Sequence, residues 1–460
     1  MASNTLVVKF AELDEALRAE VIPTPKIQTV AGYLRNRKRF VKQYSPKSVS
    51  IGPIHHDDQN LKLGEDFKLI SAAKYNHITG QYDNIGYKKI ANNIDKIKGL
   101  YADYVLANTE KSLEGFNSLD EKLSWILFMD GCFLLYIMLF VNVDPLYGPH
   151  EQDQLNISVD PASTELVTIS EHLKTKADQL VLVMRDVLLL ENQLPFLVLK
   201  LLWHGEDETT LIRTMEKFLK GYNVTTPDND TTLWGPDIQK KLLDEPKPTH
   251  LLDLQRKILL LATKEQSGEY SEEEEGKVIT YRKIEDLTAV GINLQSSGRR
   301  WTKDIDFWDG WFNAKLILPE IVVDDTTAVS FLNLVAYELC PDFKNDYGIS
   351  TFLSFISSLI DGAEDVKKLR SEGILLNLLG SDQDVVDLFN IISEGLVPKQ
   401  TTYYGIRAKI EKHHAKKGKI WIAQGIHIYL SNPWAITGVL AAFTALALTF
   451  VQTWFTVYPH

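Results

Sequence analysis

Apolar residues recur along most of this chain at the three-to-four spacing of amphipathic helices. Val7, Phe10, Leu13 and Leu17 make the first such stripe, closed by the turn Pro23-Thr24-Pro25, so residues 1–25 form an N-terminal amphipathic segment. Residues 61–118 carry several more patterns, among them Ile90, Ile94, Ile97 and Tyr101. His250 to Lys264 reads as helix, and so does the stripe Val385, Leu388, Phe389, Ile392 and Leu396, with Ser381 placed as its N-cap. Val49 to His56 alternates before a Gly-Pro turn, which suggests a short extended segment. From Val278 to Pro319 the period shortens. Gly291–Gln295, Asp304–Trp308 and Lys315–Leu318 are brief, alternating and separated by Gly, and predict a small antiparallel β element over residues 278–319. The fold class expected is mainly α, with a large helical globular body over residues 26–431.

Three apolar runs are long enough to compare with a membrane. Trp125–Val143 contains Asp130 and Gly131, and Val187–Trp203 contains Glu191, Pro195 and Lys200. A carboxylate at the centre of a span costs about 2.5–3.5 kcal/mol, so both runs read as buried core helices. Trp434–Tyr458 is different: 25 residues, ten of them Leu, Ile, Val or Phe, with no Asp, Glu, Lys or Arg after Lys419. At 1.5 Å rise such a helix reaches roughly 37 Å, enough for a hydrocarbon core of about 30 Å. Trp434, Trp454 and Tyr458 stand near its ends, where interfacial aromatics belong. Residues 432–460 are therefore expected to be a single C-terminal transmembrane anchor. The flank His413, His414, Lys416, Lys417 and Lys419 puts the body in the cytosol by the positive-inside bias, at the plasma membrane or an endomembrane, with insertion after synthesis. The patterns at Asn156, Asn223 and Asn229 fit glycosylation and point the other way, although no signal peptide precedes them.

Turn-forming residues fill the loop around 144–164 and the loop-rich stretch 221–249, and Glu272–Glu275 mark an acidic loop over residues 267–277. A net charge of −12 argues against a nucleic-acid-binding body, because phosphate contacts need clustered Lys and Arg. Cys132 and Cys340 lie in separate apolar segments and read as buried free thiols in a reducing compartment.

Candidate chemistry is sparse. His55 and His56 are adjacent, whereas two ligands on one helix stand three or four residues apart, so a turn with imidazoles bonded to backbone near Gly52-Pro53 is expected in place of a metal site. Asp130 and the trio Glu191, Asn192 and Gln193 lie inside apolar runs and need buried partners. They read as polar groups fixing helix register; the alternative is a pair of carboxylates with raised pKa doing acid–base work in a membrane-bound hydrolase-like enzyme. Phosphate-loop, nucleophile-elbow and zinc patterns do not occur, so no catalytic, cofactor-binding or metal-ligating residue is assigned.

Several odd segments occur together in one order: Val49-Ser-Ile-Gly-Pro-Ile-His-His56, Asp130-Gly-Cys-Phe-Leu-Leu135, Asp186-Val-Leu-Leu-Leu-Glu-Asn-Gln-Leu-Pro-Phe196, and His250-Leu-Leu-Asp-Leu254. Glu285–Ile292 (with Val290 in the family's alanine position), Ile317–Ile321, Asn333–Glu338, Asn377–Asp382 and the apolar tail follow. Over residues 27–458 this chain resembles the plant family catalogued as domain of unknown function 247. The resemblance implies a helical body with a C-terminal membrane anchor. The best-known members are pollen-side determinants of self-incompatibility in grasses, a cell-recognition role, and the family brings no established catalytic residues. The expectation is a membrane-anchored recognition or signalling protein whose partners are the lipid bilayer and an unidentified protein.

Overall fold

The computed structural model describes residues 4–18, 25–36, 41–80, 84–141, 177–205, 207–221, 246–261, 283–298, 302, 304–310, 314–343, 346–399, 401–415 and 433–457. The loop at 144–164, nearly all of 221–249, the acidic loop 267–277, the three glycosylation patterns and Tyr458 lie outside these residues. Among the described residues the chain is mainly helical with two small sheets. It divides into two compact units, Met1–Leu259 with Asp325–Ser350, and Leu260–Asp324 with Thr351–His460.

The first unit is built around the helix Leu119–Val141, against which Lys62–Ile78, Ile85–Ala91, Phe196–Leu202 and Glu208–Gly221 pack. This helix is apolar on most sides, as a largely enclosed helix must be. Leu123, Leu127, Phe133, Leu135 and Ile137 are fully buried, and Cys132 is a buried free thiol beside them. By length and composition Leu119–Leu139 could cross a membrane, but most of it is buried inside the body, the position expected from Asp130 in its middle. Gly64 marks where Lys62–Ile78 meets the segment around Ser48; a Cβ there would lie 2.1 Å from the Ser48 carbonyl oxygen. The amphipathic helix Asn4–Arg18 forms where the N-terminal stripe places it, with Leu6, Val7, Phe10 and Leu13 exposed.

In the second unit β1 (Ile292–Ser296), β2 (Asp306–Asp309) and β3 (Ala314–Leu318) occupy the three alternating segments. The sheet is mixed where an antiparallel one was expected. β3 lies in the middle, antiparallel to β2 but parallel to β1, in the order β1-β3-β2. Alternation fixes which side chains face inward, here Ala314, Leu316 and Leu318 of β3, and leaves strand direction open. β4 (Ile321–Val323) pairs in parallel with β5 (Leu375–Asn377). The helix Asp382–Ser393 starts at Ser381, whose hydroxyl accepts from the Asp384 N–H at 3.2 Å, and buries Val385, Val386, Phe389 and Ile392. The helix Pro433–Val457 includes Trp434 and leaves Leu440, Phe443, Leu446, Leu448, Phe450 and Trp454 exposed.

Candidate functional site

Residues 47–56 run through the first unit without joining a helix or sheet, although Val49, Ser50 and Ile51 are fully buried. Buried backbone groups need partners, and here no ladder supplies them. Side chains from distant helices do so instead. Asp186 Oδ2 accepts from three consecutive amides, Lys47 at 2.9 Å, Ser48 at 2.6 Å and Val49 at 3.2 Å. Asn192 Oδ1 accepts from the Ile51 N–H at 3.1 Å, and its Nδ2 donates to the carbonyls of Val49 at 2.9 Å and Asp186 at 3.1 Å. Asp130 Oδ2 accepts from the Gly52 N–H at 2.7 Å. Gly52 has φ +75°, and a Cβ on it would lie 3.2 Å from the Gln193 carbonyl oxygen, so the bend here requires glycine.

Glu191 and Asn192 point different ways because Leu190–Asn192 is a 3-10 turn, in which successive side chains lie about 120° apart, and Gln193 leaves the turn in extended backbone. Glu191 reaches the Val30 N–H at 2.7 Å with one oxygen, and His55 Nε2 at 2.8 Å together with Arg35 through the other. Gln193 donates to the carbonyls of Val187 at 2.8 Å and Leu189 at 2.7 Å and accepts from the Leu252 N–H at 2.9 Å. Asn333 joins from the returning segment, accepting from Leu190 N–H at 2.9 Å and donating to the Gln43 carbonyl at 3.0 Å.

Charge in this network is balanced locally. Lys68, itself buried, donates to Asp130 Oδ1 at 2.6 Å and to Ser50 Oγ at 3.3 Å, and pairs with Glu65 at 2.9 Å. Burial pulls the Lys68 ammonium down, but Asp130 and Glu65 outweigh it and hold the group above its ordinary range. Burial pushes the Asp130 carboxyl up, with Lys68 pulling against it. Burial likewise raises Asp186, opposed by the amides of Ser48, Lys47 and Val49. Burial would also raise Glu191; His55, Arg35 and the Val30 amide more than offset it and hold the carboxyl below the usual glutamate value.

Asp130, Glu191, Asn192 and His55 therefore meet around one backbone segment; the Gln193 side chain serves Val187, Leu189 and Leu252 instead, and His56 does not join them. The imidazole of His55 bonds the Glu191 carboxylate, where a bond to the backbone near Gly52-Pro53 was expected. His56 Nε2 stands 3.5 Å from Glu114, with Asp57 nearby. The donor atoms of His56, Asp57 and Glu114 lie within 4.8 Å of one another, a spacing that could hold a cation. A cation is already there: Lys122 Nζ, buried, is 2.9 Å from Asp57 and 3.5 Å from Glu114. The geometry assigns these oxygens to the ammonium.

Acid–base catalysis by Asp130 and Glu191 needs open carboxylates. Both are 1% exposed, and all four of their oxygens are engaged by the groups named above. A shallow apolar pocket of about 170 Å³ lined by Pro25, Ile27, Leu100, Pro195 and Phe196 includes neither of them. The arrangement holds backbone in place and offers these carboxylates no route to a substrate. Sequence reasoning missed Asp186, Lys68, Arg35 and Asn333, of which Asp186 and Asn333 begin two of the recurring segments.

The family model described as DUF247, plant protein of unknown function, matches residues 27–448. UPF0481 protein At3g47200 of Arabidopsis thaliana is 26% identical over 441 residues, covering 90% of this chain and 82% of the relative. Putative UPF0481 protein At3g02645 of the same plant is 23% identical over 511 residues, covering 90% and 87%. No solved structure matches the chain.

Proposed function

Since the chain belongs to the DUF247 family of plant proteins, we propose that it is a membrane-anchored recognition or signalling component that works through protein contacts. One observation carries the anchor: the helix Pro433–Val457 is 25 residues long and exposes Leu440, Phe443, Leu446, Leu448, Phe450 and Trp454. Left in water those side chains are costly. In lipid, ten Leu, Ile, Val and Phe residues favour insertion by about 3–6 kcal/mol in sum, unopposed by charge. Basic residues before the helix favour a cytosolic body. Recognition is supported by the engagement of the buried carboxylates in holding the fold, which leaves the surface of the body as the part that meets partners. Among recognition roles, self-incompatibility is one that the resemblance to the family suggests, testable by segregation of alleles with the pollen phenotype.

Alkaline extraction of membranes from cells making the full chain tests the anchor. Retention in the pellet supports it, and release into the supernatant refutes it. Protease protection on intact membranes, with sugar addition at Asn156, Asn223 or Asn229 as reporter, tests the side on which the body lies. Affinity capture from plant membranes should recover a specific partner; recovery of insertion factors alone would count against recognition.

A further inference from the structure

We propose that the exposed lysine face of the helix Tyr404–His414 docks on anionic phospholipid headgroups, an inference that rests on the anchor reading above. The chain as a whole has a net charge of −12, yet residues 407–419 hold Arg407, Lys409, Lys412, Lys416, Lys417 and Lys419 against the single carboxylate of Glu411. No acidic residue lies between this run and the apolar helix. A basic block in an acidic protein, next to an apolar helix, calls for an occupant of negative charge.

The described part of the block is seated on the second unit by its other side. Ile406, Ile410 and His413 are buried. His413 lies between Asp309, at 2.8 Å from Nδ1, and the Val290 carbonyl, at 3.2 Å from Nε2. Just before the helix, the Tyr403 hydroxyl donates to the Thr302 carbonyl at 2.8 Å. Lys409 and Lys412 stand three apart on one flank, both exposed, and take part in no ion pair among the described residues. Favouring the helix C-terminus explains a cation in the last turn, where Lys412 sits, but the effect fades within a turn and does not call for six.

Residues 420–432 separate the block from the apolar helix, at most about 45 Å of extended chain, so an anchored protein keeps these cations within reach of the bilayer surface. Each lysine close to an anionic leaflet raises the bound population by about fivefold. Acidic groups elsewhere on the body are screened beyond about 8 Å at physiological salt and do not cancel this attraction.

The test uses the full chain in nanodiscs of phosphatidylcholine alone or mixed with phosphatidylserine. Amide hydrogen exchange is read over residues 404–414, with residues 382–393 as the folded-state control. Exchange in the first segment should slow at least about fivefold in the anionic discs only, and the slowing should disappear at high salt and in the double variant Lys409→Glu, Lys412→Glu. Equal exchange in both discs, or slowing that survives the double variant with its control segment intact, overturns the lipid contact while incorporation leaves the anchor standing. Failure of the chain to incorporate into either disc overturns both.

Discussion

Asn192→Asp should destabilise the first unit more than Asn192→Ala at neutral pH, and acid should narrow the gap. Alanine leaves the Ile51 N–H and the carbonyls of Val49 and Asp186 without the partners that Asn192 gives them. The Asp186 carbonyl keeps the Leu189 N–H at 3.3 Å, so two groups are orphaned at about 1–3 kcal/mol each, less for the carbonyl, which gives about 2–4 kcal/mol in sum. Aspartate keeps an acceptor for Ile51 but points its second oxygen at two carbonyl oxygens that now stand 2.9 and 3.1 Å from an amide nitrogen. It also buries a second carboxylate close to Asp186. Such a group takes up a proton more readily in the folded state than unfolded, so the penalty of the aspartate is largest above its raised pKa and shrinks as pH falls through it. Because the chain has two units, a single unfolding midpoint is ambiguous, and exchange of the amides at Val49 and Ile51 is the better measure. A loss of 3 kcal/mol speeds exchange roughly hundredfold, after correction for the intrinsic rate at each pH. An aspartate variant no worse than alanine, or an alanine variant within about fivefold of the unmodified chain, would refute the role given to Asn192.

Protection of the Val30 amide should be full above pH 4.5, the ordinary glutamate value, and fall as acid titrates Glu191 through its lower folded value; Glu191→Gln should flatten that dependence. Gly64→Ala forces a methyl against the Ser48 carbonyl and should lower stability by at least about 3 kcal/mol, read as a loss of soluble folded protein or of protection over residues 47–56. Leu446→Arg puts a charge near the middle of the helix Pro433–Val457 and should cost about 3 kcal/mol of insertion, read as increased release on alkaline extraction.

Local periodicity makes most helices and the three main strand segments legible in the amino-acid sequence, but Val187–Trp203, which reads as one buried helix, is a 3-10 turn at Leu190–Asn192 followed by a helix only over Phe196–Leu202. It also marks Asp130 and Glu191 as buried, since a carboxylate inside an apolar run has nowhere else to go. Partners are another matter. Lys68 lies three residues from Glu65 and reads as half of an ordinary surface pair, whereas its stronger contact, Asp130, is 62 residues away. Asp186 sits beside Arg185, which hides its bonds to three amides 137–139 residues earlier. The same limit applies to the sheet. Alternation places Ile292, Leu294, Leu316 and Leu318 on the inward face, but the parallel run of β1 beside β3 depends on where the intervening chain passes.

The segment at 47–56 is satisfied only by residues made much later, and this bears on how the protein is born. Gln43 waits for Asn333, 290 residues on, which at ribosomal speed is about 15–60 s. In between, the chain has left for Leu260–Asp324, part of the other unit, and come back. Closing so long a loop is entropically slow, and until it closes the Leu190 N–H and the Gln43 carbonyl lack Asn333, and the first unit lacks its buried helix Thr327–Glu338. Nascent chains released near residue 260 should therefore fail to reach a protease-resistant state, and the young polypeptide depends on holding chaperones until the return of Asp325–Ser350 completes its first unit.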